Sequence, residues 1–422
     1  MDRLINYPLK FMVTSADENY NNYPLPTAKL RIYSDDRQHS KSNGFTIPVV
    51  NLDQNYRQTI VDKEGGQYLG HPTTVSLPDS QTILTVYPEG HGRGAIRYRK
   101  SVNGGLTWGE LLPTPDNWST SKEVPTLFKM TDSLGIERLI MFSGLYPARR
   151  AYSEDYGKTW TPLEKVGDWG GIVVMGCAIR LKDGRYMTMF HDDGRFFTEN
   201  GSVTDTFTVY KSYSEDGGLT WSYPDIVIEC DWADPCEPGI FRSPDGNQLL
   251  VLLRENSRQY NSFFITSDDE GETWSDMKEL PASLTGDRHT GVFLPDGRMF
   301  ISFRDLAHET PTKGDWVGWI GTYDDIINRQ EGQYRLLIKD NKNSWDCAYP
   351  GVELLPDSTI VTTTYGDWDG NGSNYVVTSR FKPKEIDYLN NTDPGPALQP
   401  GHYKMLTISD AENDSNQTFY NL

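Results

Sequence analysis

His71, Glu237, Arg288 and Tyr349 each stand eight residues before an aspartate set in a short turn motif. The motif recurs at Asp79 (LPDS), Asp132 (MTDS), Asp183 (LKDG), Asp245 (SPDG), Asp296 (LPDG) and Asp357 (LPDS). The same count reaches Val124 and Met175 in the two remaining copies. His71, Val124, Glu237 and Tyr349 are all followed by proline, which suits the first residue of a strand because no ladder donor is lost there. Counting eight or nine residues forward reaches Tyr87, His191, Arg254, Arg304 and Tyr365, with Glu89, His91, Arg93, Asp192, Asp193 and Asp305 just beyond. Carboxyl, imidazole, phenol and guanidinium groups at equivalent repeat positions make a set able to move protons and hold an anion. Buried charges are expensive unless paired, so their convergence on one mouth favours a binding or catalytic site over fold support.

Each turn lies between two apolar runs, as in VFLPDGRMFISF and ELLPDSTIVTTT, and so reads as a β-hairpin. The spacings are 53, 51, 62, 51 and 61 residues. A second repeat, Ser-x-Asp/Asn-x-Gly-x-Thr-Trp, begins at Ser101, Ser153, Ser214 and Ser267. Its Asp or Asn accepts backbone hydrogen bonds, its Gly allows positive φ, and its Trp covers the apolar space beneath. Asp155, Asp216 and Asp269 are therefore assigned to structure rather than catalysis. Six hairpins at a regular interval predict an all-β, six-bladed β-propeller with four such boxes. Its blades fill residues 69–382, between an N-terminal extension (1–68) and a C-terminal one (383–422). One extension is expected to add the strand that closes the ring. GTYDD near Asp324 reads as a worn fifth box.

The boxes are Asp-box (BNR) repeats, and over His71 to Phe381 the chain resembles the sialidase superfamily. That resemblance implies that the boxes lie on the face away from the active site. It also aligns Glu237, Arg254, Tyr349 and Tyr365 with the family's functional positions. Tyr349 is implied as nucleophile and Glu237 as its base. A phenol titrates near pH 10, so it needs such a base at neutral pH. Arg254 is implied as a substrate-carboxylate ligand. Three positions depart from the pattern. Gly70-His71-Pro72 replaces Arg-Ile-Pro, the loop Tyr87-Pro-Glu89-Gly-His91-Gly-Arg93 contains no acid/base Asp, and no third arginine is evident around Asp315 to Trp319. The acid/base role is accordingly assigned among His91, Glu89 and His71. Substrate binding is assigned to Arg254, Arg304, Arg288, Arg93, His191, Asp192 and Tyr365.

The resulting expectation is an exo-acting glycoside hydrolase on a terminal, acidic sugar. Two alternatives stay open: a lyase acting on a uronate glycan through His or Tyr with Arg, and a sugar-binding propeller without catalysis. The net charge of −19 argues against nucleic acid as a partner. No apolar run approaches the length of a membrane span. Met1 to Thr14 shows no basic segment leading an apolar core, so a cytoplasmic protein is expected unless the sequence is a mature form. No cofactor motif is present. His191, Asp192 and Asp193 have metal-ligand chemistry, but neighbouring strand side chains point oppositely, and no metal is expected. Cys177, Cys230, Cys236 and Cys347 lack metal-ligand spacing; Cys230 and Cys236 are close enough in sequence to pair, but free thiols are expected.

Overall fold

The computed structural model describes residues 44–197, 204, 206–343 and 345–392, and the backbone of strand Met405–Thr407. Six antiparallel sheets each begin with a strand that ends in one of the aspartate turns, so the hairpin repeat marks the blades. The inner strands are Thr73–Ser76, Thr126–Thr131, Ile172–Arg180, Pro235–Arg242, Gly286–Phe293 and Gly351–Leu354. The second strands, among them Ile83–Pro88, Tyr186–Asp192 and Leu249–Glu255, are buried almost throughout. They read as continuous apolar runs because both of their faces meet neighbouring blades.

The ring closes through Gln58–Asp62, which pairs antiparallel with Tyr375–Phe381 as the outer strand of the last blade. A strand from early in the chain thus completes, as its outermost member, a sheet otherwise made from residues near the other end, and so fastens the ring. Val49–Asn51 adds in parallel to Tyr334–Lys339 of the fifth blade, and Met405–Thr407 pairs in parallel with Val49–Asn51. The segment around Asp324 corrects the expectation of a fifth box. It forms the helix Tyr323–Ile327, in which the Thr322 side chain accepts from the Asp325 backbone N–H and Asp325 accepts from that of Thr322. Thr-x-x-Asp is a reciprocal helix cap, and it outcompetes the box turn.

Each box follows the third strand of its blade and sits at the hairpin end, since Ser101 pairs with Ile83 beside the Asp79 turn. The mouth lies at the opposite end of the inner strands. In the third box, Asp216 accepts from the Ser214 hydroxyl, from the Leu219 and Thr220 backbone N–H groups and from the Thr220 hydroxyl. Each box also joins its blade to the one before. Gly157, at φ +81°, lies so close to Tyr98 and Leu84 of the first blade that a Cβ would come within 2.3 Å of the Tyr98 hydroxyl. Gly218 abuts Met130 and Ile140 in the same way, and Gly271 abuts Met187. Asp216→Ala removes these hydrogen bonds and is expected to cost about 1–3 kcal/mol in urea unfolding, with no change at the mouth. Hydrogen bonds from Thr273 draw the Asp269 carboxyl down to about 2. A depressed carboxylate contributes stability above its unfolded pKa and loses it on acidification, so the box turns weaken as pH falls below about 4.

Candidate active site

The mouth depends on a backbone feature repeated around the ring. His71 (φ +54°), Met175 (+57°), Glu237 (+49°) and Arg288 (+59°) occupy the left-handed region, as does Ala348 (+58°) just before Tyr349. This conformation is uncommon for residues with a Cβ. The pairing register shifts at the same level, between Ile172 and Cys177, Cys236 and Gly239, and Asp287 and Thr290. Such bulges turn a side chain out of the strand's alternation, and here the kinked residues include the ionisable ones.

Tyr349, Glu237 and Arg254 come together. The Tyr349 hydroxyl donates a very short hydrogen bond to Glu237 Oε1. Arg254 Nη1 donates to the same carboxyl oxygen at 2.6 Å and to the Tyr349 hydroxyl at 2.9 Å. Burial, followed by the Glu237 charge, pushes the Tyr349 phenol well above its usual range, against the pull of Arg254 and Arg304. The phenol is therefore protonated at neutral pH, with a carboxyl group in position to accept its proton. Pro235–Arg242 and Leu249–Glu255 place Glu237 and Arg254 on adjacent strands of one blade. Tyr349 reaches them from the last blade.

Below this group lies Asp287, a residue sequence reasoning did not select. It is fully buried, hydrogen-bonded to two arginines and ion-paired with a third. Arg304 donates to it through Nε (3.0 Å) and Nη2 (2.5 Å), Arg258 through both terminal nitrogens (2.6 and 3.0 Å), and Arg254 Nε lies 3.3 Å away. Burial alone would raise this carboxyl, but the three guanidiniums hold it far below the carboxylate range. Arg304 also donates to the Trp345 carbonyl (2.8 Å) and lies 5.5 Å from the Tyr349 ring centroid. Asp305, the residue after Arg304, pairs with Arg335 at 2.6 Å.

A second carboxylate missed from the sequence, Asp346, organises the other wall. It accepts from the Tyr68 hydroxyl (3.0 Å), the Tyr365 hydroxyl (2.9 Å) and Asn374 Nδ2 (2.8 Å), and lies 3.3 Å from His91 Nδ1. Burial would raise its pKa, but the hydrogen bond and charge of His91 carry it down to about 2. His91 is 55% exposed along its side chain, with Trp345 beside its ring. His71 is buried, with Nε2 against the Tyr365 hydroxyl (3.0 Å) and Nδ1 accepting from the Gly92 N–H (3.3 Å). Burial holds the His71 imidazole well below its normal range, so it stays neutral.

The remaining selected residues stand apart from this chemistry. Glu89 is bonded to Arg97 Nε (2.7 Å), and Arg97 in turn holds Asp62 and Glu64. Arg93 is half-buried in the same loop. His191 accepts from the Glu237 backbone N–H (3.4 Å), and burial takes its pKa to about 3, so it supports Glu237 as a neutral ring. Asp192 folds onto its own loop, accepting from the Phe196 and Phe197 N–H groups at 3.0 Å each. Arg288 lines the axis of the ring. All four cysteines are buried free thiols. Among the described residues, no group of three His, Cys, Asp or Glu is gathered as a metal site. Nor is any helix among them long and apolar enough to cross a membrane.

A BNR repeat-like domain model matches residues 142–346. The chain is 26% identical over 356 residues to a sialidase of Micromonospora viridifaciens, covering 76% of this chain and 50% of that one. Among solved structures, a Dyadobacter fermentans protein of unknown function superposes with a TM-score of 0.60 at 14% identity, covering 78% of this chain and 98% of that one. The intramolecular trans-sialidase of Ruminococcus gnavus gives 0.52 at 15% identity, covering 79% and 96%. The matched stretches span 33–50% of the curated relatives' own lengths. The chain is a six-bladed β-propeller that carries a BNR repeat-like stretch and is similar to sialidases in sequence and fold. Likeness at this distance shows the fold, while function depends on the site.

Proposed function

We propose that the chain is a tyrosine-dependent glycosidase that removes a terminal, acidic sugar from a glycan. The observation that carries this reading is Tyr349 hydrogen-bonded to Glu237, with Arg254 donating to both. In the first step Glu237 takes the phenolic proton as the Tyr349 oxygen bonds to the anomeric carbon. The bond to the leaving-group oxygen breaks, and that oxygen takes a proton from His91. In the second step His91 removes a proton from water, water attacks the anomeric carbon, and the departing Tyr349 oxygen recovers its proton from Glu237. A phenol suits an anionic substrate because it brings no negative charge to the reacting centre before attack. Around the base of the mouth three guanidiniums face two carboxyl groups, Asp287 and Glu237, which favours an acidic sugar despite the overall negative charge. The sialidase names among the relatives agree with that class.

Asp346 acts as a positioning residue, fixing the orientation of the His91 ring. Asp346→Asn is expected to lower kcat about tenfold or more with KM close to wild type, because the His91 ring loses the carboxylate that orients it. An unchanged kcat would remove Asp346 from the positioning role. Trp345, 53% exposed between His91 and Arg304, offers an indole face to the leaving-group sugar.

The reading is tested by comparing wild type and Glu237→Gln on 4-methylumbelliferyl glycosides of sialic acid, glucuronic acid and galacturonic acid. Turnover of one of them, reduced by about 10²-fold or more in the variant, is the expected result. Equal turnover in both proteins would end the tyrosine–glutamate mechanism. The lyase alternative would draw its base from the His and Tyr residues of the mouth, and among these His71 has both nitrogens already engaged.

A further inference from the structure

Beneath the mouth lies a cavity of about 200 Å³ on the axis of the ring. Its lining includes Thr73, Leu127, Gly176, Ile240, Thr290 and Val352, contributed by inner strands as they descend from the mouth. No Asp or Glu lines it, and Arg288 is its one charged residue. The His289 imidazole, also at its edge, is drawn by burial to about 4 and carries no charge at neutral pH.

Arg288 is 6% exposed. Among the described residues its one hydrogen bond runs from Nη2 to the Gly176 carbonyl at 2.6 Å, and no carboxylate pairs with it. Arg254, Arg258 and Arg304, by contrast, all share Asp287. Gly176 leaves room for this approach, since a Cβ there would lie 2.9 Å from Arg288 Nη1. The left-handed backbone at Arg288 (φ +59°) directs this side chain inward, at a conformational cost. A buried guanidinium with only a carbonyl for a partner is uncompensated, and a counter-ion within the cavity relieves it.

We infer that Arg288 holds a small monovalent anion of halide size in the axial cavity, at a site separate from the catalytic group. The cavity has room for a halide together with several waters. The anion would fix the inner strands of the third and fifth blades together beneath the mouth.

Crystals of the full chain soaked in sodium bromide should show an anomalous peak beside the Arg288 guanidinium. In solution, the melting temperature should rise by about 2 °C or more in 100 mM chloride over gluconate at equal ionic strength, because a ligand bound only by the folded state stabilises it. Arg288→Met should abolish that difference. An empty cavity in the bromide crystal would overturn the inference, as would an anion effect that is absent in wild type or persists in the variant. The bromide experiment needs only the wild type, so it stands even if the variant fails to fold.

Discussion

Asp287→Asn is expected to destabilise the protein by about 3–5 kcal/mol, with the loss read directly from the urea midpoint at unchanged slope. The side chain is fully buried and is a shared partner of Arg254, Arg258 and Arg304. Asparagine keeps the volume and removes the charge, so three guanidiniums lose their common counter-ion. The same residue imposes a pH dependence. Its folded pKa is depressed, so its contribution is complete above the unfolded carboxyl value near 4 and declines on acidification. Wild type should therefore lose stability below about pH 4, and the variant should lack that part of the decline. A variant as stable as wild type would mean that the arginines are compensated elsewhere. Activity should fall as well, because Arg254 and Arg304 contact Tyr349.

Tyr349→Phe should lower kcat on the order of 10⁴-fold or more, the scale seen when a nucleophile is removed from an acid/base group acting as a unit. The fold should be unaffected. The ring keeps its packing against His71, with centroids 4.7 Å apart, and its place over Arg304. Glu237 and Arg254 remain paired at 2.6 Å without the hydroxyl. A melting temperature near that of wild type beside collapsed turnover separates a chemical loss from a structural one. Residual activity within tenfold of wild type would show that Tyr349 does not form the new bond.

The architecture was largely legible because propeller repeats are local. A hairpin with its turn aspartate, and a box with its glycine and tryptophan, are each written within a few residues, and their spacing counts the blades. Counting from the turns also placed Glu237, Arg254 and Tyr349 at strand ends, and the structure brings those three together. What escaped were relationships between blades. Asp287 stands one residue before Arg288, yet its three arginine partners come from the ends of other strands and from the loop after Arg254. Asp346 lies outside any strand and gains its role from Tyr68, Tyr365 and His91, which are distant in sequence. The closing strand Gln58–Asp62 is only five residues long, and its partner lies over 300 positions away. The helix at Tyr323 shows the opposite limit, a local cap mistaken for a degraded repeat.

The counting rule assumed an ordinary strand at every blade top. The left-handed kinks at His71, Glu237 and Arg288 decide where those side chains point, and nothing in a one-dimensional pattern announces them. Arg288 illustrates this, for its side chain reaches across the axis to the Gly176 carbonyl. Glu89 illustrates competition, since it sits in the right loop but is held by Arg97.

The most direct test of the central claim is proton NMR of the first product released from a substrate that the wild type turns over. A covalent glycosyl–Tyr349 intermediate requires two displacements, so the account predicts that the sugar first appears with its original anomeric configuration. First release of the inverted anomer, or of a sugar carrying a new carbon–carbon double bond, would contradict it.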